Sequence, residues 1–175
     1  MDRHLLFAAL PGALWACGAA DADVANRPRF AADGRLLRPE GVDRWVVVGA
    51  SLGQGYRDAT EEGPGMFHRV YLEPSAYERF RKTGRFPEGT MLALMIRQPV
   101  RRVPPSRTGW TEGELVALEM SVKDRSRFPG GWAYFDFGGG DTAAAIPRER
   151  CAACHAEHAA IDNVFVQFYP QLRSR

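Results

Sequence analysis

Near its carboxyl end the chain reads Cys151-Ala152-Ala153-Cys154-His155, and these five residues set a condition that the rest of the fold has to meet. Two thiols three positions apart on a helix share one face, where both can add to the vinyl groups on one edge of a porphyrin. The next residue then projects its imidazole under the iron. Cys-x-x-Cys-His is the attachment pattern of c-type haem, with Cys151 and Cys154 as the covalent anchors and His155 as the iron ligand. The same residues suit two other uses, a Cys-x-x-Cys redox pair or half of a zinc site. A structural zinc needs two further ligands, and no neighbouring cysteine supplies them.

The surroundings of the motif agree with a helix. Pro147 sits where a helix can begin, and Arg148 to Ala160 is rich in Ala, Glu, Arg and His with no breaker. Upstream the pattern is that of strands. Trp45 to Gly49 is an apolar, β-branched run, and Phe67 to Leu72 alternates acceptably. Thr90 to Ile96 is apolar on both faces, as in a strand covered on both sides, and a haem face is one candidate for the cover. Glu114 to Asp124 alternates most clearly, with Val116, Leu118, Met120 and Val122 on one side and Glu119, Ser121 and Lys123 on the other, as in a half-exposed antiparallel strand. Trp132 to Phe137 is a further aromatic strand, ended by three glycines. Pro74 and Ser75 open a short helix in which Ser75 and Glu78 form a capping box and Gly84 marks the end. Five antiparallel-type strands with two short helices predict an α+β domain.

The amino end carries Arg3 and His4, a largely apolar run from Leu5 to Ala20, and Ala20-Asp21-Ala22, which has the form of a cleavage site. It reads as a secretory signal over residues 1–22, interrupted by Pro11 and Gly12 and shorter than the roughly 20 residues of a spanning helix. Export to the periplasm follows, with lipid anchoring at Cys17 as the alternative. Residues 23–43 are polar and punctuated by Pro28, Gly34, Pro39 and Gly41, and read as an arm lying on a haem-binding domain of residues 44–175. A processed chain retains only Cys151 and Cys154, so packing and a bound group have to stabilise it. The formal charge of +2 comes from interspersed acids and bases, which gives no stripe for nucleic acid. All but two of the 23 basic residues are Arg, leaving Lys82 and Lys123.

The other face of the iron decides the chemistry. His158, three residues after His155, shares its helix face and reads as a surface or propionate-side residue. His68 lies on the second strand. Met66, Met91, Met95 and Met120 offer thioethers, the sixth ligand of electron-transfer cytochromes, although core packing is the usual role of such a residue.

In order along the chain come Leu37-Arg38-Pro39-Glu40 before Trp45-Val-Val-Val-Gly49, then Phe67-His68-Arg69-Val70-Tyr71, and Lys82-Thr83-Gly84 leading to Glu88-Gly89-Thr90. Arg127-Phe128-Pro129 precedes Trp132-Ala-Tyr-Phe135, and the Cys-x-x-Cys-His motif precedes Val164-Phe165-Val166-Gln167-Phe168-Tyr169-Pro170. This ordered set resembles the cytochrome P-460 family and its sister, cytochrome c-prime-beta, from about Leu37 to the carboxyl end. The resemblance implies a mainly antiparallel five-stranded sheet packed with short helices, a homodimer, and one haem c between the sheet and the C-terminal helix. It also implies a choice. The P-460 branch ties a strand lysine to the haem edge and oxidises hydroxylamine, whereas the c-prime-beta branch lacks that link and binds small gases. Aligned with the family, the cross-linking position falls on Leu94, in a strand without lysine. The chain is then closer to the gas-binding branch, with Phe67, Leu94 and Ile96 bordering an apolar distal pocket suited to NO and CO. The rivals are a hydroxylamine- or NO-oxidising enzyme, for which Glu88, His68 and Arg97 are the acid or base candidates, and a His/Met electron carrier using Met91 or Met95 with a redox partner protein.

Overall fold

A computed structural model describes residues 27–55 and 63–173. The expected signal, its cleavage site and Cys17 lie outside the described residues. Among them no helix is long and apolar enough to cross a membrane.

Five strands form one antiparallel sheet in chain order: β2 (Val46–Leu52), β3 (Phe67–Leu72), β4 (Met91–Arg101), β5 (Trp110–Lys123) and β6 (Trp132–Asp136). Helix α1 (Pro74–Thr83) connects β3 to β4, and α2 (Ala152–His158) follows β6. The α+β fold expected from the sequence is present. A second, two-stranded sheet pairs β1 (Leu36–Leu37) with β7 (Thr142–Ala143). Through it the stretch before Trp45 enters the core, with Leu36 fully buried.

Each strand shows alternate residues to opposite faces, and both faces of this sheet are covered. On one, Tyr71, Met91, Ala93, Met95, Leu118, Met120, Val122 and Phe135 pack with Leu36, Val42 and Trp45. On the other, Val70, Leu72, Leu92, Trp132 and Tyr134 pack with Ala76 and Phe80 of α1, Ala152 of α2, and Val164, Val166 and Leu172. The double cover explains why residues 90–96 are apolar throughout. It also changes the reading of β5. Leu118, Met120 and Val122 are buried as expected, but Val116 is 48% exposed, because β6 ends at Asp136, opposite Glu119, and gives Val116 no strand beyond it. The polar side of β5 is not a solvent face: Glu119 and Ser121 are half-buried and Lys123 is buried.

Helix α1 opens at Pro74 as expected, but its cap and the start of α2 differ from expectation. The cap of α1 is Glu73, not a Ser75–Glu78 box. Pro74 takes the first helical position, so the buried Glu73 carboxylate accepts the backbone N–H groups of Ser75 and Ala76 and the Ser75 hydroxyl. Gly84 closes the helix with φ 68°, as its type requires. Helix α2 is shorter than the expected 148–160. Residues 147–150 form a separate turn, with Arg150 N–H donating to the Pro147 carbonyl, and Ala159 is already extended.

Candidate functional site

Pairing register assembles the site. Val70 pairs with Leu94, Leu94 with Glu119, and Glu119 with Asp136; one pleat further on, Leu72, Leu92, Ser121 and Tyr134 form the parallel row. Between these rows and α2 lies a cavity of about 250 Å³. Its sheet side is formed by Val70, Leu92, Leu94, Glu119, Ser121 and Tyr134, and its other walls include Ile146, Arg150, Cys151, Cys154, His155 and Phe165. Sequence patterning puts Glu119 on the polar, half-exposed side of the strand, outside the expected site residues, and only the sheet register brings it to Leu94.

His155 is held by its backbone-side nitrogen. Nδ1 lies 2.8 Å from the Asn163 carbonyl oxygen, so Nδ1 carries the proton and donates it, leaving the Nε2 lone pair free. The ring is wedged between Tyr134 and Phe165, at 4.4 and 4.5 Å between centroids. Burial lowers the imidazole pKa, with the Asn163 bond working in the opposite direction. A neutral ring with one nitrogen fixed and the other unprotonated is the form that ligates a metal. Tyr134 Oη also points to the Asn163 carbonyl, at 3.5 Å, and burial pushes its pKa up.

Cys151 and Cys154 are half-buried, unpaired thiols on the cavity wall. Burial raises the Cys151 pKa, and the Glu119 charge adds to it, which keeps the thiol protonated. Among the described residues no group of three or more His, Cys, Asp and Glu side chains could hold a metal ion, so the zinc reading has no ligand set. Two thiols, a preset imidazole and the apolar patch of Val70, Leu92 and Leu94 fit a haem that brings its own iron ligands.

A family model, Cytochrome P460, matches residues 39–166. The chain belongs to the cytochrome P460 family. It is accordingly a c-type haem protein with iron as its metal. Among curated proteins none matches this chain.

Within this P460-family site the other expected residues separate. Leu94 lines the cavity. Ile96, opposite Ala117, has the same facing as Leu94 but lies a pleat away, outside the cavity wall. Phe67 is three residues from Val70, so alternation puts it on the other face of the sheet, with Arg69 and Tyr71. Met91, Met95 and Met120 are packed in the core of that other face, and Met66 is exposed. His68 pairs with Ile96 and its pKa is lowered by burial, but it does not line the cavity. Glu88 is bound to Arg125, and Arg97 to the Gly113 carbonyl. Lys82 is exposed on α1, while Lys123 donates to the Phe86 carbonyl and Asp162. Besides Glu119, the residues that sequence reasoning did not find are Tyr134 and Asn163. Tyr134 falls within an aromatic strand of the sequence, and Asn163 acts through its backbone, which no side-chain pattern announces.

Proposed function

We propose that this cytochrome P460-family chain carries one haem covalently bound to Cys151 and Cys154 and ligated by His155, and that it binds small neutral gases, NO and CO, to sequester or sense NO. The observation that carries this reading is Leu94 on the sheet side of the cavity, where it lies with Val70 and Leu92, Glu119 being its partner on the β5 side. Haem supplies an iron with one position open to a diatomic ligand. The apolar patch of Val70, Leu92 and Leu94 offers none of the hydrogen bonds that anions and water need, and admits a neutral diatomic. The opposite facing of Met91 and Met95 weighs against a His/Met electron carrier. The absence of lysine from the cavity wall weighs against a lysine-linked ring. The chain is proposed to be exported to the periplasm and to work as a homodimer.

One observation favours a second reading. Glu119 places a carboxyl on the cavity wall, with its pKa raised by burial and by the Asp136 charge. Such a group can hold a proton and release it, as oxidation of hydroxylamine or NO requires. The ferrous spectrum with and without CO, followed by a hydroxylamine turnover assay with an artificial electron acceptor, tests both. CO uptake by five-coordinate iron without turnover supports gas binding. Sustained turnover that is lost in Glu119→Gln replaces it with the oxidising enzyme, and iron indifferent to CO contradicts both.

A further inference from the structure

Lys123 is out of place for a lysine. It is 3% exposed, at the end of β5, and its ammonium donates to the Phe86 carbonyl at 2.7 Å and to Asp162 Oδ2 at 2.6 Å. Trp132, its cross-strand partner at the start of β6, donates its indole N–H to the other oxygen of the same carboxylate, Asp162 Oδ1, at 3.2 Å. One pair of neighbouring side chains at the end of the sheet thus grips both oxygens of a single aspartate.

That aspartate begins a tight turn. Asp162 and Asn163 have φ of 47° and 60°, and Val164 N–H donates to the Ile161 carbonyl at 2.8 Å. Two successive positive φ values are the signature of a two-residue hairpin turn, and Asp and Asn tolerate them better than other side chains. The carbonyl that the turn presents is Asn163 O, the acceptor for His155 Nδ1. The grip on Asp162 is therefore one residue from the atom that orients the iron ligand.

We infer that Lys123, Trp132 and Asp162 are positioning residues for the iron ligand: they pin the Asp162–Asn163 turn to the β5–β6 strand pair and so fix the Asn163 carbonyl against His155. A fixed acceptor on Nδ1–H sets the ring plane and makes the imidazole a stronger electron donor, which strengthens its bond to iron and favours the ferric state. A buried ion pair is weak evidence of added stability, since desolvation offsets the attraction. Its value here lies in placing a carbonyl.

The inference rests on the proposed five-coordinate, His155-ligated haem, and the test separates the two. Resonance Raman spectra of the ferrous holoprotein give the iron–histidine stretch, and a redox titration gives the midpoint potential. Asp162→Ala removes the gripped carboxylate, whereas Trp132→Phe keeps an aromatic ring and removes only the N–H. Leu36→Ala, in the core on the opposite face, is the control for general destabilisation. Asp162→Ala is expected to move the stretch to lower frequency and raise the potential, Trp132→Phe to do so less, and Leu36→Ala to change neither. Where Asp162→Ala does not accumulate as holoprotein, Trp132→Phe decides. Haem-loaded variants with an unmoved stretch, or a control that moves as much, overturn the pin. A wild-type protein with no iron–histidine stretch overturns the site reading instead.

Discussion

Glu119 shows how much a single residue depends on its neighbours. Period-2 alternation assigned it correctly to the side of β5 opposite Leu118 and Met120, but what covers that side is set by residues some 30 positions downstream. Its raised pKa has a sign that can be checked. The folded state holds the Glu119 proton more tightly than the unfolded chain, so the wild type loses stability as pH rises from the ordinary carboxylate range through the folded value. Gln does not titrate. Glu119→Gln is expected to be more stable than wild type at neutral pH, with the advantage shrinking toward about pH 4; melting temperatures of both proteins across that range measure it, and a pH-independent gap contradicts it. Gly49 offers a steric counterpart. A Cβ there would lie 2.6 Å from Cδ1 of Tyr169, a cavity-lining ring. Gly49→Ala is expected to cost about 1–3 kcal/mol as an overpacked contact, read by denaturant unfolding, and to perturb the haem spectrum by displacing that ring.

At the scale of elements, the strands were readable where they are buried and unreadable where they leave the core. Residues 90–96 declared β4 through an unbroken apolar run, but the strand continues to Arg101 through Gln98 and Pro99, which match no strand pattern and sit at a register shift. The start of β5 at Trp110 is hidden in the same way. The pair β1 and β7 has two residues per strand, too few for any periodicity. Helix α1 is legible from Pro74, Ser75 and its terminal Gly84, yet the expected cap at Ser75 lies two residues after the real one at Glu73, because a buried glutamate before proline carries no capping-box spacing. Glu73→Ala is expected to destabilise the protein by about 1 kcal/mol, the usual loss for an N-cap, with little change in the haem spectrum, since α1 does not line the cavity. Urea unfolding of the holoprotein checks the first part and absorption the second.

Across the whole molecule, one sheet serves two different cores. Among the described residues the core with Leu36 and Trp45 packs side chain against side chain, whereas the core with α2 surrounds the cavity. The sequence disclosed the attachment motif and the sheet but not this division, since no local pattern tells which face of a doubly covered strand meets a ligand. The two faces predict unequal dependence on haem. In a Cys151→Ser/Cys154→Ser chain, hydrogen exchange is expected to leave β4 and β5 protected while α2 and residues 161–168 exchange quickly; uniform loss of protection would show that the sheet also needs the haem. Covalent attachment itself is settled most directly by mass. The chain is to be expressed with a working haem-maturation system, denatured, and extracted with acid and acetone. Thioether bonds at Cys151 and Cys154 predict a red polypeptide heavier than the processed chain by one haem. A colourless polypeptide with the mass of the bare processed chain would contradict them.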